Sequence, residues 1–528
     1  MKEAESSLLR DFTVDHRVWL LSGIALLIGS GAALLAMLLL KLIAVSTNLF
    51  YYHRFSAASV SPSGSPLGHL MVLIPVAGGL LVGLMARFGS DKIRGHGIPE
   101  AIEAILLNRA RVNWKIAILK PVSAAIAIGS GGPFGAEGPI IMTGGAFGSL
   151  VAQWIRLSDA ERTTLLVAGA AAGMSATFAT PLAAILLAVE LLLFEWRPRS
   201  LVPVAIASAT AGILRLYLLG YGPIFPMPPT TETNPVKFAI GALALGAVMG
   251  LVAAGMSRMM YAFEDMFERL PIHWMWWPAL GGLGVGIGGL LFPRGLGVGY
   301  DNISQLLQGR APLALILGIL VAKSLMWAFS LGSGTSGGVL APLLMIGGAV
   351  GALAGHLAQT SAQEQAFWAL LGMGAMLAGS LGVPLTAILF SLEVTHCLPA
   401  LLPLTLGCIS AYLVTALLMP RSILTEKLSR RGYHLTREYG VDPLETVIVE
   451  ELMSPARIPA SSIPPELFIY ADCTCQSAAE LMATEGLSTL PVVDRNSNKV
   501  TGEITLFGLL QGRNRSVIRE QERVRLFG

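Results

Sequence analysis

Long apolar segments dominate the first 420 residues of the chain. The segment from Val18 to Val45 has one charged residue, Lys41, and exceeds the about 20 apolar residues that a helix needs to cross a bilayer. Further apolar blocks lie near 70–87, 117–129, 139–155, 164–194, 201–219, 237–260, 275–292, 312–331, 339–358, 367–395 and 400–419. Several blocks are too short, or too rich in glycine and proline, for a simple spanning helix. Because broken helices are tolerated in a bilayer only where they line a cavity or are covered by protein, the pattern predicts a transporter-like bundle.

The charged residues are few and unevenly placed. They make up 13% of the 528 residues, against about 25% in soluble proteins, and the mean hydropathy is +0.66. Of the 69 charged residues, 27 lie in 421–528. We therefore predict an N-terminal segment at 1–17, a membrane domain at 18–420, a linker at 421–448 and a water-facing domain at 449–528. The net charge of +3, without a basic cluster, argues against a nucleic-acid partner.

An internal repeat relates the two halves of the membrane domain, about 18–219 and 237–420. Ten of twenty residues are identical between 129–148 and 332–351, at an offset of 203. The segments 181–190 and 384–393 match at the same offset, and the Gly-x-Gly segments 95–97 and 297–299 match at 202. Two related halves with interrupted helices predict a binding site between them, at the membrane midplane.

Glu137 is the acidic residue of the first glycine-rich block, in the sequence GAEGP at 135–139. It precedes an apolar helix, and the unpaired N–H groups of a helix N-terminus attract anions. A carboxylate inside a membrane is costly unless it has a partner or a function. We interpret Glu137 as a tethered anion that occupies the site and leaves it on protonation or when a free anion displaces it.

Two further segments supply candidate donors. The second glycine-rich block has no carboxylate at the matching position, so the backbone N–H groups of Val339 and Leu340 are free to coordinate an anion. The segment GHGIPE at 95–100 is a third entry into a helix, and its proline fits an early helical position.

These motifs together resemble the CLC family of chloride channels and chloride/proton exchangers, over about residues 18–435. The resemblance implies an all-α polytopic fold with two inverted repeats and broken helices. It also implies a homodimer with one pore per subunit, both termini cytoplasmic, in the plasma (inner) membrane. Glu137 would be the gate. The residues around the anion would be His96, Gly97, Ile98, Val339, Leu340 and Leu424.

Two side-chain donors of the family are missing here. His96 stands where chloride-selective members have a serine, and Leu424, in the sequence SILT, stands where many members have a tyrosine. We weigh two interpretations of His96: it contacts the anion and makes transport sensitive to pH, or it packs behind the loop with its ring bonded to the backbone.

The proton pathway departs from the family pattern as well. Exchangers often have an inner glutamate where this chain has Leu191, which cannot hold a proton. Glu190 matches the neighbouring carboxylate, and Glu195 would share the face of Leu191 on a continuing helix. We therefore slightly favour a channel for chloride or a related small anion, with a proton-coupled antiporter as the alternative.

Residues 449–512, within the predicted domain and tail at 449–528, resemble a single CBS module. The segment LPVVD at 490–494 and a second strand at 501–505 alternate with helical segments, which predicts a small α/β domain. The aspartate that would bind ribose falls at Gly508, which argues against nucleotide binding. We expect a role in dimer contact or gating.

An enzymatic alternative rests on the sequence GTSG at 334–337, which superficially resembles an intramembrane serine protease. The chemistry needs a histidine in contact with Ser336, and His356 lies about 30 Å away along a continuous helix. We therefore predict no enzyme, no metal and no cofactor. The four cysteines are expected to be free thiols.

Overall fold

The computed structural model describes residues 16–229, 235–433, 443–455 and 467–514, apart from 496 and 498. The predicted segment 1–17 therefore lies almost entirely outside the described residues, as do parts of the predicted linker and of the C-terminal domain. The chain forms two compact units, Met1–Leu435 and Thr436–Gly528.

The first unit is helical. Its described helices are α1 (Arg17–Tyr52), α2 (Leu73–Phe88), α3 (Ile98–Leu106), α4 (Trp114–Gly129), α5 (Glu137–Gln153), α6 (Asp159–Phe178), α7 (Pro181–Leu187), α8 (Pro198–Leu219), α9 (Pro235–Glu268), α10 (Trp277–Leu291), α11 (Tyr300–Leu307), α12 (Leu313–Gly332), α13 (Leu340–Leu357), α14 (Ala362–Leu381), α15 (Pro384–Thr395), α16 (Leu401–Leu418) and α17 (Ile423–Arg430). Short turns of 3-10 helix lie at Pro62–Gly64, Gly68–Val72, Asp91–Ile93, Trp274–Trp276, Pro293–Gly295 and Leu398–Ala400.

Seven of the described helical segments are long and apolar enough to cross a membrane. They are Arg17–Tyr52, Gly68–Phe88, Pro198–Leu219, Val236–Glu268, Leu313–Gly332, Leu340–Leu357 and Leu398–Arg430. Others are too short, including α3, α7 and α11, so they end inside the helical bundle. The predicted polytopic fold with broken helices is thereby confirmed.

The repeat governs the order of the helices. Helices α5, α6, α7 and α8 each begin 203 residues before α13, α14, α15 and α16. Within each half the first two of these helices pack closely. A Cβ at Gly144 of α5 would overlap the Gly169 carbonyl oxygen of α6, and a Cβ at Gly347 of α13 would overlap the Gly372 carbonyl oxygen of α14. Glycine is needed at these crossings because the two backbones touch, as is common in lipid.

Two glutamates join the halves reciprocally. The Glu190 carboxylate accepts hydrogen bonds from the N–H groups of Leu385 and Thr386 at 3.2 and 2.8 Å, and from the Thr386 hydroxyl at 2.6 Å. The Glu393 carboxylate accepts the N–H groups of Leu182 and Ala183 at 3.0 and 2.8 Å. Each carboxylate thus satisfies the first turn of a helix in the other half, where the donors are otherwise unpaired.

The first part of the predicted linker at 421–448, up to residue 433, belongs to the first unit. Helix α17 belongs to the first unit because Ile423, Leu424 and Leu428 are buried in its core. The Tyr261 hydroxyl on α9 donates to the Ile423 carbonyl at 2.6 Å. Residues 434–442 of this stretch lie outside the described residues.

The second unit contains a small sheet of three strands, β1 (Ile469–Tyr470), β2 (Thr489–Val493) and β3 (Val500–Thr505). Strand β1 pairs parallel with β2, and β3 pairs antiparallel with β2. Helices α18 (Pro443–Thr446) and α19 (Cys475–Glu485) accompany the sheet, a 3-10 turn spans Val449–Glu451, and residues 506–514 are helical. The predicted alternation of strands and helices is therefore present.

We predict that Glu190→Ala lowers the free energy of unfolding in detergent by about 1–2 kcal/mol, because it leaves donors of the first turn of α15 unpaired. The matched control is Glu364→Ala, whose carboxylate forms a partly exposed ion pair with Lys237 at 3.0 Å. Such pairs contribute about 0–1 kcal/mol. Equal losses for the two variants would contradict the capping role.

Candidate functional site

The glycine-rich loops of the two halves meet inside the first unit. The N–H of Gly135 donates to the Gly338 carbonyl at 3.2 Å, and the N–H of Gly338 donates back at 2.9 Å. The N–H of Gly95 donates to the Thr335 carbonyl at 2.8 Å. Helices α3, α5 and α13 begin directly after these three loops, so their electropositive ends converge.

The Glu137 carboxylate lies where these helix ends converge. Glu137 is fully buried, and its side chain turns back over Gly135. A Cβ at Gly338 would come within 2.9 Å of Glu137 Oε2. The first half therefore places its carboxylate against the N-terminus of α13 in the second half, beside the predicted residues Val339 and Leu340.

The polar neighbours of this carboxylate are the Ala341 N–H, the Tyr300 hydroxyl and the Lys323 ammonium group. Neither carboxylate oxygen has a hydrogen bond of normal geometry within the described residues. The Ala341 N–H belongs to the predicted donor segment at 339–342, whereas Tyr300 and Lys323 were not predicted from the sequence. The carboxylate thus faces helix-end and side-chain donors without being locked to one of them.

Two buried lysines, one in each half, hold the Gly-x-Gly loops. Lys120 of α4 donates to the carbonyls of Ile93 and Gly95 at 2.8 and 2.7 Å. Lys323 of α12 donates to the carbonyls of Gly297 and Val298 at 2.8 and 3.2 Å. The lysines are 203 residues apart and both are fully buried. Each satisfies backbone acceptors and brings a positive charge close to the convergent helix ends.

One of the anion donors predicted in the loop at 95–98 is already hydrogen-bonded to a nearby side chain. The N–H of Gly97 donates to Glu100 Oε2 at 3.0 Å, which removes it from the predicted anion donors. Glu100 also pairs with Lys427 at 3.2 Å and Arg431 at 3.4 Å. The physical reason is a capping box, in which the third residue of a helix satisfies the N-cap backbone. Of the backbone donors predicted in this loop, that of Ile98 remains, and Ile98 is the first residue of α3.

His96 is buried, and neither ring nitrogen has a hydrogen-bond partner among the described residues. The interpretation in which the ring is bonded to backbone behind the loop therefore lacks the bond it requires. Its carbonyl oxygen lies so close to Gly138 that a Cβ there would overlap it, so the loop packs directly on the start of α5. Leu424 is fully buried in α17, which packs against α3, and brings no hydroxyl.

The three positions discussed for proton transfer are apolar or engaged in contacts of their own. Leu191 is buried and apolar, and Glu190 is occupied as the cap of α15. The π-helical turn Ala188–Leu193, which follows α7, does not continue to Glu195, because Phe194 adopts a left-handed conformation. Glu195 instead accepts from Ser200 at 2.8 Å and lies 3.5 Å from Arg197.

The serine of the protease alternative is engaged elsewhere. Ser336 Oγ lies 3.1 Å from Ser123 Oγ, and no described histidine hydrogen-bonds to it. Among the described residues, the site thus contains a buried carboxylate and convergent N–H groups but no activated nucleophile.

The fold defines a polytopic membrane protein with two related halves of broken helices. The family model for voltage gated chloride channels matches residues 78–416, which is more than half of the chain. The chain therefore belongs to the CLC family of anion transport proteins, and it is not an enzyme.

Two relatives illustrate this membership. The H+/Cl− exchange transporter ClcA of Salmonella agona is 32% identical over 385 residues, which cover 69% of this chain and 80% of that protein. A ClcB-like protein of Ralstonia nicotianae is 30% identical over 367 residues, covering 68% and 85%.

Solved structures share the fold. A slow cyanobacterial Cl−/H+ antiporter matches with a TM-score of 0.69 at 24% identity, covering 79% of this chain and 99% of that one. A eukaryotic CLC transporter matches with a TM-score of 0.65 at 19% identity, covering 92% and 98%. At these identities the likeness concerns the fold alone, and it agrees with the predicted inverted-repeat bundle.

We predict that Lys120→Met weakens chloride binding at least tenfold, measured by isothermal titration calorimetry, because the carbonyls of Ile93 and Gly95 lose their donor and the loop relaxes. Lys115→Met is the matched control, since Lys115 is exposed on the same helix. Equal affinities for the two variants would show that the buried lysine does not support the site.

Proposed function

We propose that this protein transports chloride or a related small anion in exchange for protons, with Glu137 as the gate and proton acceptor. The observation that carries the proposal is the burial of the Glu137 carboxylate at the convergent N-termini of helices from both halves. A carboxylate in that place carries the same negative charge as a permeating anion. It is surrounded by the N–H donors that such an anion needs.

The mechanism follows from competition between two anions. With Glu137 ionised, its carboxylate lies against the first turn of α13 and blocks the site. Protonation removes the charge, so the side chain swings out and an anion takes its place. The expected donors are the N–H groups of Ile98, Val339, Leu340 and Ala341. Because one chain provides all of them, each subunit of the proposed homodimer would have a complete pore.

Exchange is preferred to a channel because a 32% identical relative is named an H+/Cl− exchange transporter. The channel remains the second candidate. It is favoured by Leu191, which leaves no inner carboxylate at the family's position, and by the engagement of Glu190 and Glu195 in structural contacts.

The remaining assignments are part of the same proposal. We place the protein in the plasma (inner) membrane as a homodimer with both termini in the cytoplasm. The domain at 449–528 would be a single CBS-like module that pairs with the module of the second subunit and modulates the gate. Because Gly508 stands in place of the ribose-binding aspartate, we propose no nucleotide ligand for this module.

Reversal potentials in liposomes across a pH gradient test exchange. We expect the potential of the native protein to shift with the pH gradient, and that of Glu137→Gln to depend on chloride alone, because glutamine cannot carry the proton. Anion flux through Glu137→Gln and Glu137→Ala should persist with weakened dependence on acidity. A native reversal potential set by chloride alone would favour the channel, and unchanged pH dependence in both variants would refute the gate.

His96 is proposed to face the anion, and the lack of a hydrogen-bond partner for its ring within the described part of the chain supports this orientation. We expect His96→Ser to change the chloride-to-nitrate permeability ratio severalfold, because a small hydroxyl donor replaces the imidazole ring. The matched control is His356→Ser, on the last turn of α13. Unchanged selectivity in His96→Ser would discard the assignment.

A further inference from the structure

We propose that Tyr300 is a positioning and selectivity residue of the gate, whose phenol hydroxyl donates a hydrogen bond to the ionised carboxylate of Glu137. The proposal deepens the proposed function and rests on it. In this chain the phenol comes from the N-terminus of α11, whereas the α17 position discussed above is occupied by Leu424.

The local structure aims the Tyr300 ring into the site. Tyr300 is the first residue of α11 and follows Gly299, whose φ of +80° is a backbone conformation that favours glycine. The ring makes edge contacts with Phe225 and Phe178, with centroid distances of 5.8 and 6.4 Å. Two aromatic neighbours therefore fix the direction of the hydroxyl.

The Tyr300 hydroxyl and the Glu137 carboxylate both lack a normal hydrogen bond among the described residues, and each could supply the other's partner. The Tyr300 hydroxyl oxygen and both Glu137 carboxylate oxygens are buried, and none has a normal hydrogen bond within the described residues. The two groups nevertheless face one another closely enough to interact. Burying a donor and an anion without partners costs free energy, so a small rotation that joins them is favoured.

The positions that match Glu137 and Tyr300 in the opposite halves of the repeat are apolar. The residue that matches Glu137 in the second half is Leu340, at an offset of 203, and the residue that matches Tyr300 in the first half is Ile98, at an offset of 202. Both counterparts are buried and apolar. One half thus supplies the acid and the other half supplies the donor, while the related positions keep hydrocarbon side chains.

The loop before Tyr300 is anchored on two sides. Lys323 donates to the carbonyls of Gly297 and Val298, and the N–H of Gly297 donates to the Gly131 carbonyl at 3.0 Å, in the loop that leads to Glu137. Tyr300 and Lys323 are the titratable groups that the described structure places against the carboxylate. Two of the three N–H donors of the Lys323 ammonium group are taken by carbonyls, and the phenol is a second side-chain donor beside the carboxylate.

This donor has a different acceptor in each state of the gate. While Glu137 is ionised, the phenol donates to its carboxylate and favours the blocked state. When Glu137 is protonated and swings away, the same hydroxyl can donate to the anion that replaces it. Tyr300 would therefore influence both the acidity at which the gate opens and the preference among anions.

Tyr300→Phe tests the inference because it removes only the hydroxyl. The lost donor destabilises the ionised gate, so opening requires less acid. We expect the midpoint of anion flux against pH to move upward by about one pH unit, which corresponds to about 1.4 kcal/mol. Conversely, 3-fluorotyrosine at position 300 keeps the ring and donates more strongly, and it should move the midpoint to lower pH.

Two controls distinguish this role from a general effect on the fold. Tyr51→Phe removes another buried hydroxyl, which donates to the Ser130 carbonyl at 3.0 Å, and should leave the midpoint unchanged. In a Glu137→Gln background, Tyr300→Phe should have no further effect on pH dependence, because no ionised gate remains.

The outcomes separate this inference from the proposed function. If Glu137→Gln removes the pH dependence but Tyr300→Phe and 3-fluorotyrosine leave the native midpoint in place, the inference is overturned and the gate stands. A shift that persists in the Glu137→Gln background would also overturn it. If Glu137→Gln keeps the native pH dependence, the proposed function itself fails.

Discussion

A carboxylate buried among helix N-termini is the constraint on which the account depends. Removing an ionised group from water is costly, and no salt bridge to Glu137 among the described residues compensates for it. The compensation comes from converging dipoles and from nearby donors such as the Ala341 N–H and Tyr300 hydroxyl. Because these donors stabilise negative charge in general, the same place that tolerates a tethered carboxylate also suits a free anion.

The repeat explains how such a site can be built inside a membrane. Short helices that end within the bilayer expose unpaired donors and acceptors, which must be satisfied by protein. Here the loops pair with one another across the halves, the duplicated lysines Lys120 and Lys323 bind loop carbonyls, and Glu190 and Glu393 cap helices of the opposite half. The symmetric contacts provide a rigid frame, and the asymmetric residues Glu137 and Tyr300 within it provide the chemistry.

Much of this arrangement could be predicted from the sequence because the two halves have kept the same spacing. An offset of 203 residues identified the glycine-rich loops, and the isolated acid within one of them identified Glu137. The same offset applied to Lys120 would have found Lys323. The engagement of the Gly97 N–H was also predictable, since Glu100 three residues later is the signature of a capping box.

Other features could not be predicted, since they depend on tertiary packing. Nothing local to Tyr300 indicates that its hydroxyl approaches a carboxylate 163 positions earlier in the chain. The rise in charge after Arg421 suggested a linker, yet three apolar residues of α17 are buried in the membrane unit. Charge density reports the exposed face of an amphipathic helix and misses the face that packs against the core.

The most direct test is the position of a bound anion. Crystals of Glu137→Gln grown in bromide, with anomalous scattering recorded at the bromine edge, would show where an anion binds once the gate carries no charge. We expect a bromide peak where the Glu137 carboxylate lies in the native structure, beside Gly135 and Gly338 and within hydrogen-bond distance of the first turn of α13. Bromide bound only outside the convergent loops, with this position empty, would contradict it.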